Sequence, residues 1–166
     1  MVEITVNSQI QQVQAGFGYA PKEIEASKWA EKLFEKSYRA AVWTRIRSWF
    51  RPNQASLLYL HPGSLVQKKG QPRLQRVPLS QIKGTCSGRL HDFDAYLRPS
   101  RQHNKARWLS VAKAFYMHKP LPPVELVKVD DIYFVLDGHH RLSVAGSMGL
   151  EAIEAHVTEW HLARPA

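Results

Sequence analysis

A chain of 166 residues that is 44% apolar and 10% aromatic can bury a core unaided, which excludes a disordered chain or a disulfide-built mini-protein. Cys86 is the only cysteine, no window holds the roughly 18 apolar residues of a membrane span, and Met1–Gln14 lacks a signal core. A soluble cytoplasmic protein without membrane association is therefore expected. The net charge is +9 and it is unevenly placed: residues 36–124 carry 17 Lys or Arg against two acids, between two acidic ends. That basic middle predicts a surface that meets a polyanion such as DNA or RNA.

Along the chain, Gly16 and Gly18 mark a loop, and Pro21 suits the first turn of a helix. No Gly or Pro then interrupts until Arg51-Pro52. Ile24, Trp29, Leu33, Ala41, Val42, Ile46 and Trp49 recur at helical spacing, so one long helix, straight or bent, is predicted, with Trp29, Trp43 and Trp49 in the core. Lys28, Lys32 and Lys36 follow one another at i,i+4 on another face. Residues 51–76 are rich in Pro and Gly. They allow a short helix or strand at Ala55–Leu60 and an exposed basic loop at Lys68–Pro72. The division expected is a helical N-terminal extension, 1–70, followed by a second unit, 71–166.

In that second unit Val77–Ile82 predicts a strand or strand–turn, Gly84–Arg89 a flexible polar loop, and Asp92–Tyr96 one helical turn. Asn104 is placed to cap a helix over 105–118, whose stripe is Trp108, Leu109, Val111, Ala112, Phe115 and Tyr116. Lys119-Pro-Leu-Pro-Pro123 stops it. Val124–Val129 and Ile132–Leu136 flank Asp130-Asp131 as the arms of a hairpin. A helix from His140 to Met148 ends at Gly149, and Ala152–Val157 supplies a last strand.

The run Asp137-Gly-His-His-Arg141 breaks a local rule. A helix start carries partial positive charge and favours anions, yet this one opens with three potentially cationic side chains. Such a start is suited to meeting a phosphate. The order of elements, with Leu121-Pro-Pro, the hairpin, Gly138-His-His-Arg141 and a following helix, resembles the ParB N-terminal domain and sulfiredoxin superfamily over about 77–160. Arg89-Leu-His-Asp-Phe93 is similar to an upstream segment of that superfamily.

The resemblance implies an α+β fold, a small mixed sheet with packed helices, joined here to an α-helical N-terminal extension. It implies a nucleoside triphosphate held with Mg2+ and slow hydrolysis of it. Gly138, His139, His140, Arg141 and Arg89 would hold the phosphates. Sulfiredoxins carry a nucleophilic cysteine where this chain has His139, so reduction by that chemistry is not expected. Partitioning proteins carry Glu-Arg where this chain has His139-His140, which departs from their switch.

Other classes stay open beside it, among them a phosphotransferase with a small-molecule acceptor that would use the same phosphate grip. A metal-dependent nuclease would use Asp137, His139 and His140, with a histidine as general base and Asp137 placing the metal. A non-catalytic adaptor would use the helix 22–50 to meet DNA or a protein. Side chains at consecutive helix positions diverge by about 100°, and no distant His, Cys or Asp has diagnostic spacing, so Asp137, His139 and His140 do not predict a metal site made by the protein alone; magnesium is expected through nucleotide phosphates, assisted by Asp137 or Asp92.

Overall fold

Two adjacent strands, alternately pointing to both sides, organise the molecule, for which a computed structural model describes residues 23–48, 57–61, 66–88 and 91–162. β5 (Val124–Val129) and β6 (Ile132–Asp137) form the predicted hairpin, paired from Val129 opposite Ile132 to Glu125 opposite Asp137. Asp130 takes a left-handed φ of 51° in the turn, a conformation that Asp tolerates better than most residues. Val124, Leu126 and Val135 face one side of the sheet, and Val127 and Phe134 the other. Burial on both faces explains why the two arms read as nearly continuous apolar runs.

The hairpin is flanked on each side by parallel neighbours. β4 (Ile82–Thr85) pairs with β6, and β1 (Leu58–Tyr59) pairs with β4. β7 (Ala152–Leu162) pairs with β5. Along the far edge of β7 run β2 (Val66–Lys69) and β3 (Arg73–Pro78), both antiparallel to it. Lys69 lies opposite Trp160 and Arg73 opposite Val157, so β2 and β3 lie in line. The described strands thus make one mixed sheet in the order β1-β4-β6-β5-β7 with β3 and β2 outermost.

Three α-helices among the described residues join the main core: α1 (Glu23–Ser48), α2 (Lys105–Tyr116) and α3 (His139–Ser147). Phe34 of α1, Trp108 of α2 and Leu142 of α3 share it with Val124, Val135 and Val157 of the sheet. The Phe34 and Trp108 rings meet edge to face at 5.3 Å. Trp108 Nε1 donates to Ser143 Oγ at 2.9 Å, which satisfies both buried polar groups. A smaller cluster on the other face of the sheet joins Leu60, Cys86, Val127, Phe134 and Trp160. Gly84 makes it possible, because a Cβ there would stand 2.4 Å from the Phe134 ring.

The long helix is present, and Ala41, Trp29 and Leu33 of the predicted stripe are buried or pack on the core, but the buried face is shifted from the one predicted. Ala26, Ala30, Phe34, Ser37 and Ala41 are inside, whereas Ile24, Trp43 and Ile46 are exposed. Small residues let α1 approach α3 closely, as the 2.6 Å contact of Ser37 Oγ with Ser147 Oγ shows. Trp43 is 66% exposed and is not a core residue. Pro21, Trp49 and Arg51-Pro52 lie outside the described residues.

Several local expectations change as well. Lys68 and Lys69 belong to β2, not to a loop. Gly84 and Thr85 belong to β4, and Thr85 and Cys86 are buried, because this segment is an inner strand. Asp92–Tyr96 forms turns around the Asp94 carboxylate, which accepts from the Tyr96 and Arg98 amides, instead of a helical turn. Asn104 ends a 3-10 turn (Gln102–Asn104) and makes no side-chain cap, since its backbone is already helical. α2 stops at Tyr116, ahead of His118 in a left-handed conformation. The short strand allowed at Ala55–Leu60 is present as Leu58–Tyr59, which pairs with β4, and Ala30, Phe34 and Leu57 share one core with Val77 and Ile82.

Candidate functional site

The junction of β6 and α3 is built on one glycine. Gly138 turns the chain at φ 97°, and a Cβ there would stand 2.6 Å from Val124 Cγ1. Only glycine suits both the conformation and the space. The first helical bond runs from Leu142 N–H to the Gly138 carbonyl at 3.0 Å. Among the described residues no side chain caps this helix start. It opens on a cleft of about 250 Å3, whose walls are Asp137–Arg141, Arg107 and Val111 of α2, and Leu121 and Pro122.

Arg141 folds back toward the strand it follows. One guanidinium nitrogen donates to Asp137 Oδ2 at 2.7 Å, and the other to the carbonyls of Pro122 and Pro123. Its side chain is 13% exposed, against 65% for Asp137. Asp137 thus supplies a negative charge one residue before the helix cap, where the helix dipole favours it.

The two histidines point into the protein. His139 Nε2 lies 2.8 Å from Thr85 Oγ1 and 3.3 Å from Ser87 Oγ. Thr85 Oγ1 also reaches the Val135 carbonyl at 3.3 Å. A hydroxyl has one proton, so both contacts are satisfied when Thr85 donates to Val135 and His139 Nε2–H donates to Thr85. The His139 ring stacks on Phe93 at 5.8 Å, and His140 meets the same ring edge-on at 5.3 Å. Both imidazoles are buried.

The structure therefore brings Asp137, Gly138, His139, His140 and Arg141 together at one cleft, while Arg89 lies outside the described residues. Asp92 does not line the cleft; its carboxylate meets His103 at 3.3 Å. Among the described residues no group of three or more His, Cys, Asp or Glu could hold a metal ion. Cys86 faces the opposite side of the sheet from Thr85, and burial pushes its thiol up to about 11. A thiol so placed stays protonated near neutrality and is a poor nucleophile.

Sequence reasoning missed Arg107. It is exposed on α2 and makes no ion pair among the described residues, one helical turn from Val111 on the wall of the cleft. Its helical spacing was visible; the helix start that this face would meet was not. Thr85 and Ser87 were hidden in the same way, because a loop reading gave them no fixed direction.

No family model matches the chain, and no curated protein matches it. Among solved structures it is similar to the crystal structure of sulfiredoxin from Arabidopsis thaliana, with 17% identity over 52% of this chain and 84% of that one, at a TM-score of 0.39. A likeness of that degree carries no argument about the site. No helix among the described residues is long and apolar enough to cross a membrane. What the strands and helices themselves establish is an α+β protein: a mixed sheet with packed helices and a long N-terminal helix.

Proposed function

We propose that the chain is a phosphate-binding module that takes the phosphate groups of a nucleotide at the start of α3. One observation carries the reading: an α3 start without a side-chain cap, entered through Gly138, shares a cleft with the exposed guanidinium of Arg107. Backbone amides at a helix start and a planar guanidinium are complementary to phosphate oxygens. The cleft, at about 250 Å3, is smaller than the roughly 300–1,000 Å3 of sites that enclose a whole drug-sized ligand. It suits the phosphates and leaves the nucleoside against the outer surface. Among the described residues Asp137 is the one carboxylate on its wall, so magnesium would be held mainly by phosphate oxygens with Asp137 adding one more. The reading needs no histidine base; His139 and His140 support the helix start from beneath.

Calorimetry with ATP, CTP, GTP and ADP, each with magnesium, tests this reading. Binding of at least one nucleotide is expected, with a loss of about tenfold in Arg107→Gln, the scale of one charge-assisted hydrogen bond. No heat with any of the four, or affinity unchanged in both Arg107→Gln and Arg141→Ala, would overturn it.

A further inference from the structure

The exposed face of α1 carries a second feature, remote in sequence from the α3 cleft. A groove of about 980 Å3 runs along it between Trp29 and Trp43. Fourteen residues of helix separate the two indoles, or about 21 Å. Between them lie Lys32, Lys36 and Arg39, all exposed and without an ion pair among the described residues. Among the described residues Glu35 is the one acid on the groove, and Lys105 holds it at 3.1 Å. The local charge is therefore strongly positive.

The two indoles differ in setting. Trp29 is half-buried and packs on Tyr116 at 4.9 Å, which fixes that end of the groove. Trp43 is exposed, a flat apolar ring that the core does not use. We infer that this face binds single-stranded nucleic acid, with phosphates on Lys32, Lys36 and Arg39 and a base stacked on Trp43. Cations interleaved with aromatic rings are what a strand of alternating phosphates and bases requires. A membrane-binding helix gathers its apolar residues into a stripe and sets its cations on the other face. Here the cations stand between the aromatics, on the same face.

The inference is independent of the α3 cleft, since none of these residues lines it. The test is fluorescence anisotropy of a labelled oligothymidylate with the full chain, over a salt series. Single strands release counterions with a slope of about 0.7 per neutralised phosphate, so Lys32→Gln/Lys36→Gln/Arg39→Gln lowers the slope by about 2 and the affinity at least tenfold. Trp43→Ala weakens binding about fivefold or more, and Trp43→Phe restores most of it. ATP binding is unchanged in all three proteins, which separates failure here from failure of the phosphate site. These residues are exposed, so melting temperatures stay at the wild-type value. Affinity for the oligonucleotide that survives the triple substitution or Trp43→Ala overturns the inference. So does tighter binding of a DNA duplex, phosphatidylserine vesicles or polyglutamate than of the single strand.

Discussion

Asp137 and Arg141 face each other across Gly138, carboxylate oxygen to guanidinium nitrogen at 2.7 Å, one turn apart at the mouth of the α3 cleft. The pair accounts for a helix that opens with Arg141 in its first turn. The anion that the helix start favours is partly provided by the chain itself. A phosphate entering the cleft would compete with Asp137 for the same guanidinium.

Removing that competitor should therefore favour the ligand. Asp137→Asn is expected to raise the affinity for pyrophosphate, without magnesium, about two- to fivefold, the worth of an exposed ion pair. Stability should fall by less than about 1 kcal/mol, because the carboxylate is mostly in water. Calorimetry and urea unfolding measure the two quantities; a drop in pyrophosphate affinity would contradict the competition.

Gly138→Ala combines a left-handed backbone with a Cβ placed 2.6 Å from Val124 Cγ1. The expected loss is about 2–4 kcal/mol, strain and overpacking together. Val124→Ala in the same chain relieves the clash and leaves the backbone strain. The double variant should then lose less than the two single losses added, as a double-mutant cycle by urea unfolding would show.

Thr85→Val keeps the shape and removes the hydroxyl between His139 Nε2 and the Val135 carbonyl. A loss of about 1–3 kcal/mol is expected from the polar groups left short of a partner. Ser87 Oγ, at 3.3 Å from the same nitrogen, can recover part of it. Thermal unfolding of Thr85→Val beside Thr85→Ser, which retains a hydroxyl, separates the hydrogen bond from the packing of the methyl group.

The Cys86 thiol gives a pH dependence whose sign is determined. Burial raises its value from 9.0 to about 11 in the folded protein, so the unfolded chain loses this proton first. Stability is therefore full below pH 9 and falls by up to about 1.4 kcal/mol per pH unit between 9 and 11. Other groups titrate in that range, so the quantity to measure is wild type minus Cys86→Ala. A difference flat across the window would contradict the burial argument. In the native state the thiol should also resist a disulfide reagent at pH 8 and react on unfolding.

The buried face of α1 can be tested directly. Phe34→Ala should destabilise by about 3–5 kcal/mol, the range for emptying a buried aromatic site. Ile24→Ser and Trp43→Ser should each stay within about 0.5 kcal/mol, as exposed positions do. The reverse pattern in chemical denaturation would restore the apolar stripe read from hydrophobicity.

The local elements with strong internal signals were legible in the residues alone. The arms at Val124–Val129 and Ile132–Leu136, the Asp130-Asp131 turn, the helix ending at Gly149 and the long helix before Arg51 each follow from periodicity and turn chemistry. So does the special place of Gly138 and the convergence of Asp137–Arg141. The Gly84–Thr85 half of β4 was not legible, since glycine and threonine read as loop until Phe134 and Val135 pair with them. The buried face of α1 was legible at Trp29, Leu33 and Ala41 and missed at Ala26, Ala30 and Ser37, because alanine and serine weigh little as apolar residues, although they are what lets two helices come close.

By itself, the sequence determined the positions of the hairpin and the helices, the basic middle, and a conformationally special helix start at Gly138. Those properties depend on near neighbours: backbone preference, spacing and turn geometry. Only the tertiary structure decided that His139 and His140 turn inward onto Thr85, Ser87 and Phe93, that Asp137 occupies Arg141, and that Arg107 stands over the same cleft. Those relations join residues more than thirty positions apart, or choose among rotamers of adjacent ones. They are settled by which helix face lies against which strand, a choice made by packing volume across the whole core.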